Sequence, residues 1–156
     1  MTPDQRAKYE QLRHQFWQKK AKQRKAEILK ATLGVTEDSI IFFDDTESNR
    51  LSELFRRRID QCPETELCNR YEAMRAVRNE LRNMSGMCIF VGASSTGSVG
   101  STGVPFESVY SKLEELTRRT GDTLSLMSED GRFGLSLCTQ EGDDDDPYYF
   151  WVYRDE

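Results

Sequence analysis

The sequence predicts an α+β fold: three N-terminal helices, then a β-α-β-β-β unit whose four strands form a mostly antiparallel sheet. Three observations carry this. Apolar residues recur at helical spacing as far as Gly86; the pattern then shortens to continuous and alternating runs; and Ser128-Glu129-Asp130-Gly131 joins two of those runs as a hairpin turn. At 156 residues the chain has the length of one domain. Residues 1–34 read as a basic N-terminal helix and 35–156 as a single α+β body, helical over 45–86 and sheet over 87–156.

The first helix opens at Pro3 after Thr2, and no glycine interrupts it before Gly34, which fits a C-cap. Tyr9, Leu12 and Phe16 follow i, i+3, i+7, while Trp17, Ala21 and Ile28 continue a drifting stripe. Ile40–Phe43 reads as a strand or a tether. Asp44–Thr46 offer an N-cap to a second helix, with Leu51, Leu54, Phe55 and Ile59 on one face. Pro63 opens the third, with Glu64 and Glu66 in its first turn, where the helix dipole favours acids. Its expected stripe is Leu67, Tyr71, Met74, Leu81 and Met84, and Gly86 ends it.

Met87–Ala93 then reads as a buried strand, and Ser94–Val104 as a loop. Pro105 starts a helix with Val109, Leu113 and Leu116 on its apolar face, Glu107 placed to cap free amides, and Gly121-Asp122 as its end. Thr123–Met127 and Arg132–Cys138 flank the hairpin turn, and Tyr148–Tyr153 is the last strand.

Charge is unevenly distributed. The net −5 divides into +6 over residues 1–34, −3 over 35–86 and −8 over 87–156, a basic arm on an acidic body. No apolar run approaches the roughly 20 residues of a membrane span, and the N-terminus lacks a signal-peptide core, so the reading is cytoplasmic. Cys62, Cys68, Cys88 and Cys138 form no close ligand pair, and His14 is the sole histidine, which argues for reduced thiols, no metal and no cofactor.

Gly92–Pro105 is the most unusual stretch: ten of its fourteen residues are Gly, Ser or Thr, and no charge occurs from Asn83 through Phe106. A strand, a Gly-rich loop and a helix start, in that order, can cradle a phosphate on exposed amides, with Ser94, Ser95, Thr96, Gly97, Ser98 and Gly100 as candidate anion ligands. The P-loop pattern fails because Ser98 stands where lysine belongs, and the dinucleotide pattern fails at Ser94. A surface loop or structural Ser/Thr nest is the competing reading.

Asp143, Asp144, Asp145 and Asp146 precede the aromatic run Tyr148–Tyr153, in which Tyr149, Trp151 and Tyr153 face one way. Were that face open, three aromatics beside four carboxylates would suit a basic protein partner. A solvated turn before a core strand competes with this. A calcium site does not fit, because the DxDxDG alternation and distal Glu are missing. On the first helix, Lys19, Lys20, Lys22, Arg24, Lys25 and Lys30 give residues 19–30 a nucleic-acid reading beside Phe16 and Trp17, against that of a solvated face; Arg56-Arg57-Arg58 invites the same pair of readings.

Catalytic patterns are weak. His14 lies on the polar side of a basic helix, Cys88 and Cys138 read as core fillers, and Ala93-Ser94-Ser95-Thr96-Gly97 is not a nucleophile elbow. The expectation is a binding protein and not an enzyme.

The charged helix spanning Lys8–Lys30, the FF-containing segment after it, two helices and a small sheet resemble the immunity proteins of bacterial contact-dependent and polymorphic toxin systems. That resemblance implies a small cytosolic inhibitor that masks the active surface of a cognate toxin, often with acids facing a basic nuclease cleft.

Overall fold

The computed structural model describes residues 1–92, 94–95, 98–115, 123–139 and 147–155. Helix α1 spans Pro3–Leu33. Thr2 Oγ1 accepts the Gln5 amide at 3.2 Å while Gln5 Oε1 accepts the Thr2 amide at 2.9 Å, a reciprocal cap of two otherwise unpaired N–H groups. The helix closes at Gly34, whose N–H donates to the Lys30 carbonyl. Its only buried residues are Ala26, Leu29, Thr32 and Leu33, all in the last two turns. A 3-10 turn, Glu37–Ser39, leads to the short strand β1, Ile41–Phe42.

Helix α2, Asp45–Asp60, starts where the sequence places it: the Asp44 carboxylate accepts the Glu47 amide at 2.7 Å, and Leu51 and Phe55 are buried. The third helix departs from expectation. Pro63 does not open it; Thr65–Leu67 forms strand β2, and α3 runs only Arg70–Leu81. The local cause is Asn69, whose side chain accepts the Glu72 amide at 3.0 Å, while Glu72 Oε2 accepts the Cys68 amide at 3.0 Å. The helix buries Ala73, Met74, Val77 and Leu81, and Tyr71 points to solvent instead of joining the stripe.

Strands β3 (Met87–Phe90), β4 (Ser94–Ser95), β5 (Ser98–Val99) and β6 (Thr102–Pro105) precede α4, Phe106–Ser111. Strands β7 (Thr123–Ser128), β8 (Phe133–Thr139) and β9 (Tyr148–Arg154) complete the chain. Among the described residues the main sheet has seven strands and not four, in the order β1-β6-β3-β7-β8-β9-β2, every pair antiparallel. Ser94–Val104 is therefore not a loop. Thr102 and Gly103 pair with β1 on one side, and the whole of β6 pairs with β3 on the other. Pro105 is the last residue of β6 and stands at the N-cap position of α4. That helix has no side-chain capping bond from Glu107 or any other residue among those described, and it ends at Ser111; the expected end at Gly121-Asp122 lies outside the described residues.

The sheet is covered on both faces. The last turns of α1 with α3 and α4 bury Cys88, Val104, Leu126, Leu135 and Phe150 on one face. Helix α2 lays Leu51 and Phe55 on Ile89, Met127 and Tyr153 on the other. The expected turn is present, with Gly131 at φ 74° and the Phe133 amide donating to Ser128 Oγ at 3.1 Å. Gly134 stands opposite Tyr153 on β9, and any β-carbon there would collide with the tyrosine ring.

Candidate functional site

Strand alternation separates the aromatics of β9 as expected. Tyr148 and Phe150 enter the core under α1, α3 and α4; Tyr149, Trp151 and Tyr153 face the α2 side. They do not share one environment. Helix α2 covers the Tyr153 end, so that ring is buried against Phe55 (centroids 6.5 Å apart) with the Arg58 guanidinium 4.3 Å above it. Tyr153 is thus a core residue and not a surface anchor. Burial pushes its phenol up to about 12, and its hydroxyl has no hydrogen-bond partner among the described residues. Tyr149 and Trp151 stay half-buried, paired with Cys138 and Ser136 on β8, while Glu66 of β2 sits opposite Tyr149 on the same face. Asp143, Asp144, Asp145 and Asp146 lie outside the described residues.

The Gly-rich segment folds into a two-stranded ribbon, Ser94 opposite Val99 and Ser95 opposite Ser98, with Thr96 and Gly97 outside the described residues and Gly100 half-buried at its exit. Its root is tied. Ser101 Oγ accepts the Gly92 amide at 3.1 Å and donates to the Gly92 carbonyl at 3.0 Å. Strand β6 then carries the chain back along β3, so α4 begins at the opposite end of the sheet, where the Phe106 amide donates to the Gly86 carbonyl at 2.9 Å. The strand, loop and helix-start arrangement that favours a phosphate is therefore replaced by a hairpin remote from the helix N-terminus.

The basic arm is mostly free of the body. Ahead of Ala26, α1 has no buried residue, and Tyr9, Leu12 and Phe16 are each more than half exposed. Phe16 and Trp17 meet edge to face at 5.7 Å, with Lys20 Nζ 4.8 Å from the Phe16 ring centre. Lower down, His14 Nε2 lies 3.8 Å from Asp45 Oδ2, and α1 runs along β5. Lys25 differs from its neighbours: half-buried over the Phe90 ring at 5.8 Å, its ammonium is desolvated and its pKa lowered. The arginine triplet is largely engaged within the chain, Arg57 by Glu53 and Arg58 by Asp155.

Cys88 is fully buried, which pushes its thiol up. Cys62 donates to the Arg58 carbonyl at 3.3 Å, and the carboxylate of Glu72 raises the exposed Cys68. Cys138, expected as a core filler, is half-buried beside Tyr149. Among the described residues no three His, Cys, Asp or Glu side chains converge as metal ligands, and no helix is long and apolar enough to cross a membrane.

One feature was not readable from the sequence. An apolar cleft of about 600 Å³ opens at the β1 edge of the sheet, lined by Ile41, Leu81, Met84, Met87, Val104 and Tyr110 among others. Ile40–Phe43 gave a strand signal but no sign that β1 would stop after two residues and leave Ile41 nearly half exposed. Comparison with protein-family models, curated proteins and solved structures finds no match for this chain.

Proposed function

We propose that this chain acts by binding another protein and not by turning over a substrate. More particularly, it is an immunity-type inhibitor that neutralises a cognate toxin by covering its active surface. The observation that carries the reading is the half-open row of Tyr149 and Trp151 on the sheet face beyond α2, with Glu66 beside it. Aromatics that are partly desolvated and partly open supply anchoring area at small entropic cost. The acidic balance of residues 87–156 adds attraction for a basic partner and raises the association rate.

Two substitutions separate anchoring from steering. With a photo-crosslinking residue in place of Trp151, illumination in the native host captures one stoichiometric protein that the same residue at the exposed Tyr71 on α3 does not. Identical capture from both positions, or none from position 151, defeats the reading. Changing Asp143, Asp144, Asp145 and Asp146 to Asn slows association with that partner and flattens its salt dependence; an unchanged on-rate removes the steering role.

A further inference from the structure

Two apolar surfaces are left uncovered among the described residues: the Tyr9, Leu12, Phe16 stripe of α1 and the cleft at the β1 edge. The stripe cannot reach its own cleft. From residue 4 to residue 33 α1 contains neither Gly nor Pro, and Ala26, Leu29 and Leu33 fix its far end in the core. Leu12 stands about 21 Å up the helix axis from Ala26, and the stripe is turned about 100° from the buried face. A rigid helix with that geometry presents the stripe to another molecule.

Charge points to what that molecule is. Arg6, Lys8, Arg13, Lys19 and Lys20 flank the stripe, whereas residues 35–156 carry a net charge of −11. The cleft's own lining is balanced, Glu107 against Arg82, so the attraction comes from the acidic body as a whole and the fit from the apolar lining. Met84 and Met87, flexible thioethers suited to accepting aromatic rings, are part of the cleft's lining. Its volume of about 600 Å³ is on the scale of a small cluster of side chains and not of a whole helix.

We propose that the chain pairs with a second copy of itself, each copy seating its Tyr9, Leu12 and Phe16 stripe in the other's cleft at Ile41, Met84 and Met87. The contact is reciprocal, so it closes on two chains and does not extend into a filament. It uses neither Tyr149 nor Trp151, and so stands or falls apart from the inhibitor reading.

Sedimentation velocity on the full chain, from low micromolar to a few hundred micromolar, tests this directly. The expected result is a concentration-dependent species with the mass of two chains. Phe16→Asp and Ile41→Asp each raise its dissociation constant by about tenfold or more. Far-UV circular dichroism and Tm confirm that each variant is folded, and Met84→Glu replaces Ile41→Asp if the edge strand does not tolerate the charge. Mixing the arm variant with the cleft variant restores a heterodimer through the one intact arm and cleft. A monomer throughout the range overturns the proposal. So does a dimer insensitive to both cleft substitutions, which would pair arm to arm, or a failure of the mixed variants to complement.

Discussion

Ser48 and Ser101, 53 positions apart, are joined inside the protein: the Ser101 amide donates to Ser48 Oγ at 3.0 Å. Ser48 Oγ in turn donates to the Phe43 carbonyl at 3.3 Å, and Ser101 Oγ holds both backbone groups of Gly92. Both serines are fully buried, so each hydroxyl replaces water for backbone groups that have none. This pair fixes the root of the Gly-rich hairpin to the first turns of α2.

Ser48→Ala leaves the Ser101 amide buried without its acceptor. The expected cost is about 1–3 kcal/mol of unfolding free energy, the penalty of an unsatisfied buried donor. Urea unfolding measures the loss, and hydrogen exchange locates it: the Gly92 and Ser101 amides exchange faster while those of β8 do not. An unchanged midpoint removes the hydroxyl from the load on this hairpin.

Tyr153 makes the opposite case. Its hydroxyl is buried with no partner among the described residues, so Tyr153→Phe stabilises the fold by about 1 kcal/mol, read from the urea midpoint. The phenol also has a pH signature. Burial raises its folded pKa to about 12 from an ordinary value near 10, so the unfolded chain loses the proton first. The stabilising contribution is full below about pH 10 and is lost as pH rises towards 12. Tyr153→Phe flattens that alkaline decline, and an identical decline in the variant assigns it to another group.

How far the sequence carries can be judged from particular residues. Thr2, Asp44 and Gly131 announce their caps and turn locally, because a side chain or a positive φ within three or four residues decides the structure there. Strand β2 is not legible because Pro63, Glu64 and Glu66 look like a helix start; only pairing with Tyr148, Tyr149 and Phe150, more than 80 positions away, makes Thr65–Leu67 an edge strand. Strand β6 was hidden in the same manner, its partners being Ile41 and Phe42 on one side and Met87–Phe90 on the other. The aromatic alternation of β9 was legible from its period of two. Which end of the row α2 would cover was not, since Phe55 and Arg58 reach Tyr153 only through tertiary packing. The apolar period of α1 was legible as well, but periodicity does not say whether a stripe is covered.

Asp155 ties the C-terminal segment to α2 through a two-pronged contact with the Arg58 guanidinium, which also lies over the Tyr153 ring. The guanidinium holds the Asp155 carboxyl below its ordinary value. A carboxylate whose folded pKa is depressed contributes stability above its unfolded value near 3.9, and that contribution is lost as pH falls through the folded value. Asp155→Asn therefore lowers Tm at neutral pH, and the gap from the parent chain closes in acid. A gap that persists when the carboxylate is protonated assigns the effect to packing instead of charge.

The free part of α1 gives the last test. Because no residue ahead of Ala26 is buried, removing the arm up to Gln23 leaves both cores intact. What goes with it on the α2 side is the exposed pair His14 and Asp45 and the packing along β5, contacts of small worth. The shortened chain is expected to unfold within about 1 kcal/mol of the parent in urea, provided both are measured dilute enough to be single chains, since association adds stability by mass action. The same chain decides the nucleic-acid reading of residues 19–30. Binding through this arm has to fade steeply as salt rises and weaken when the arm is removed; binding unchanged by the deletion does not use Lys19, Lys20 or Lys22, the members of the cluster that go with it. A loss of several kcal/mol on deletion places the arm in the fold and removes the basis for a projecting recognition helix.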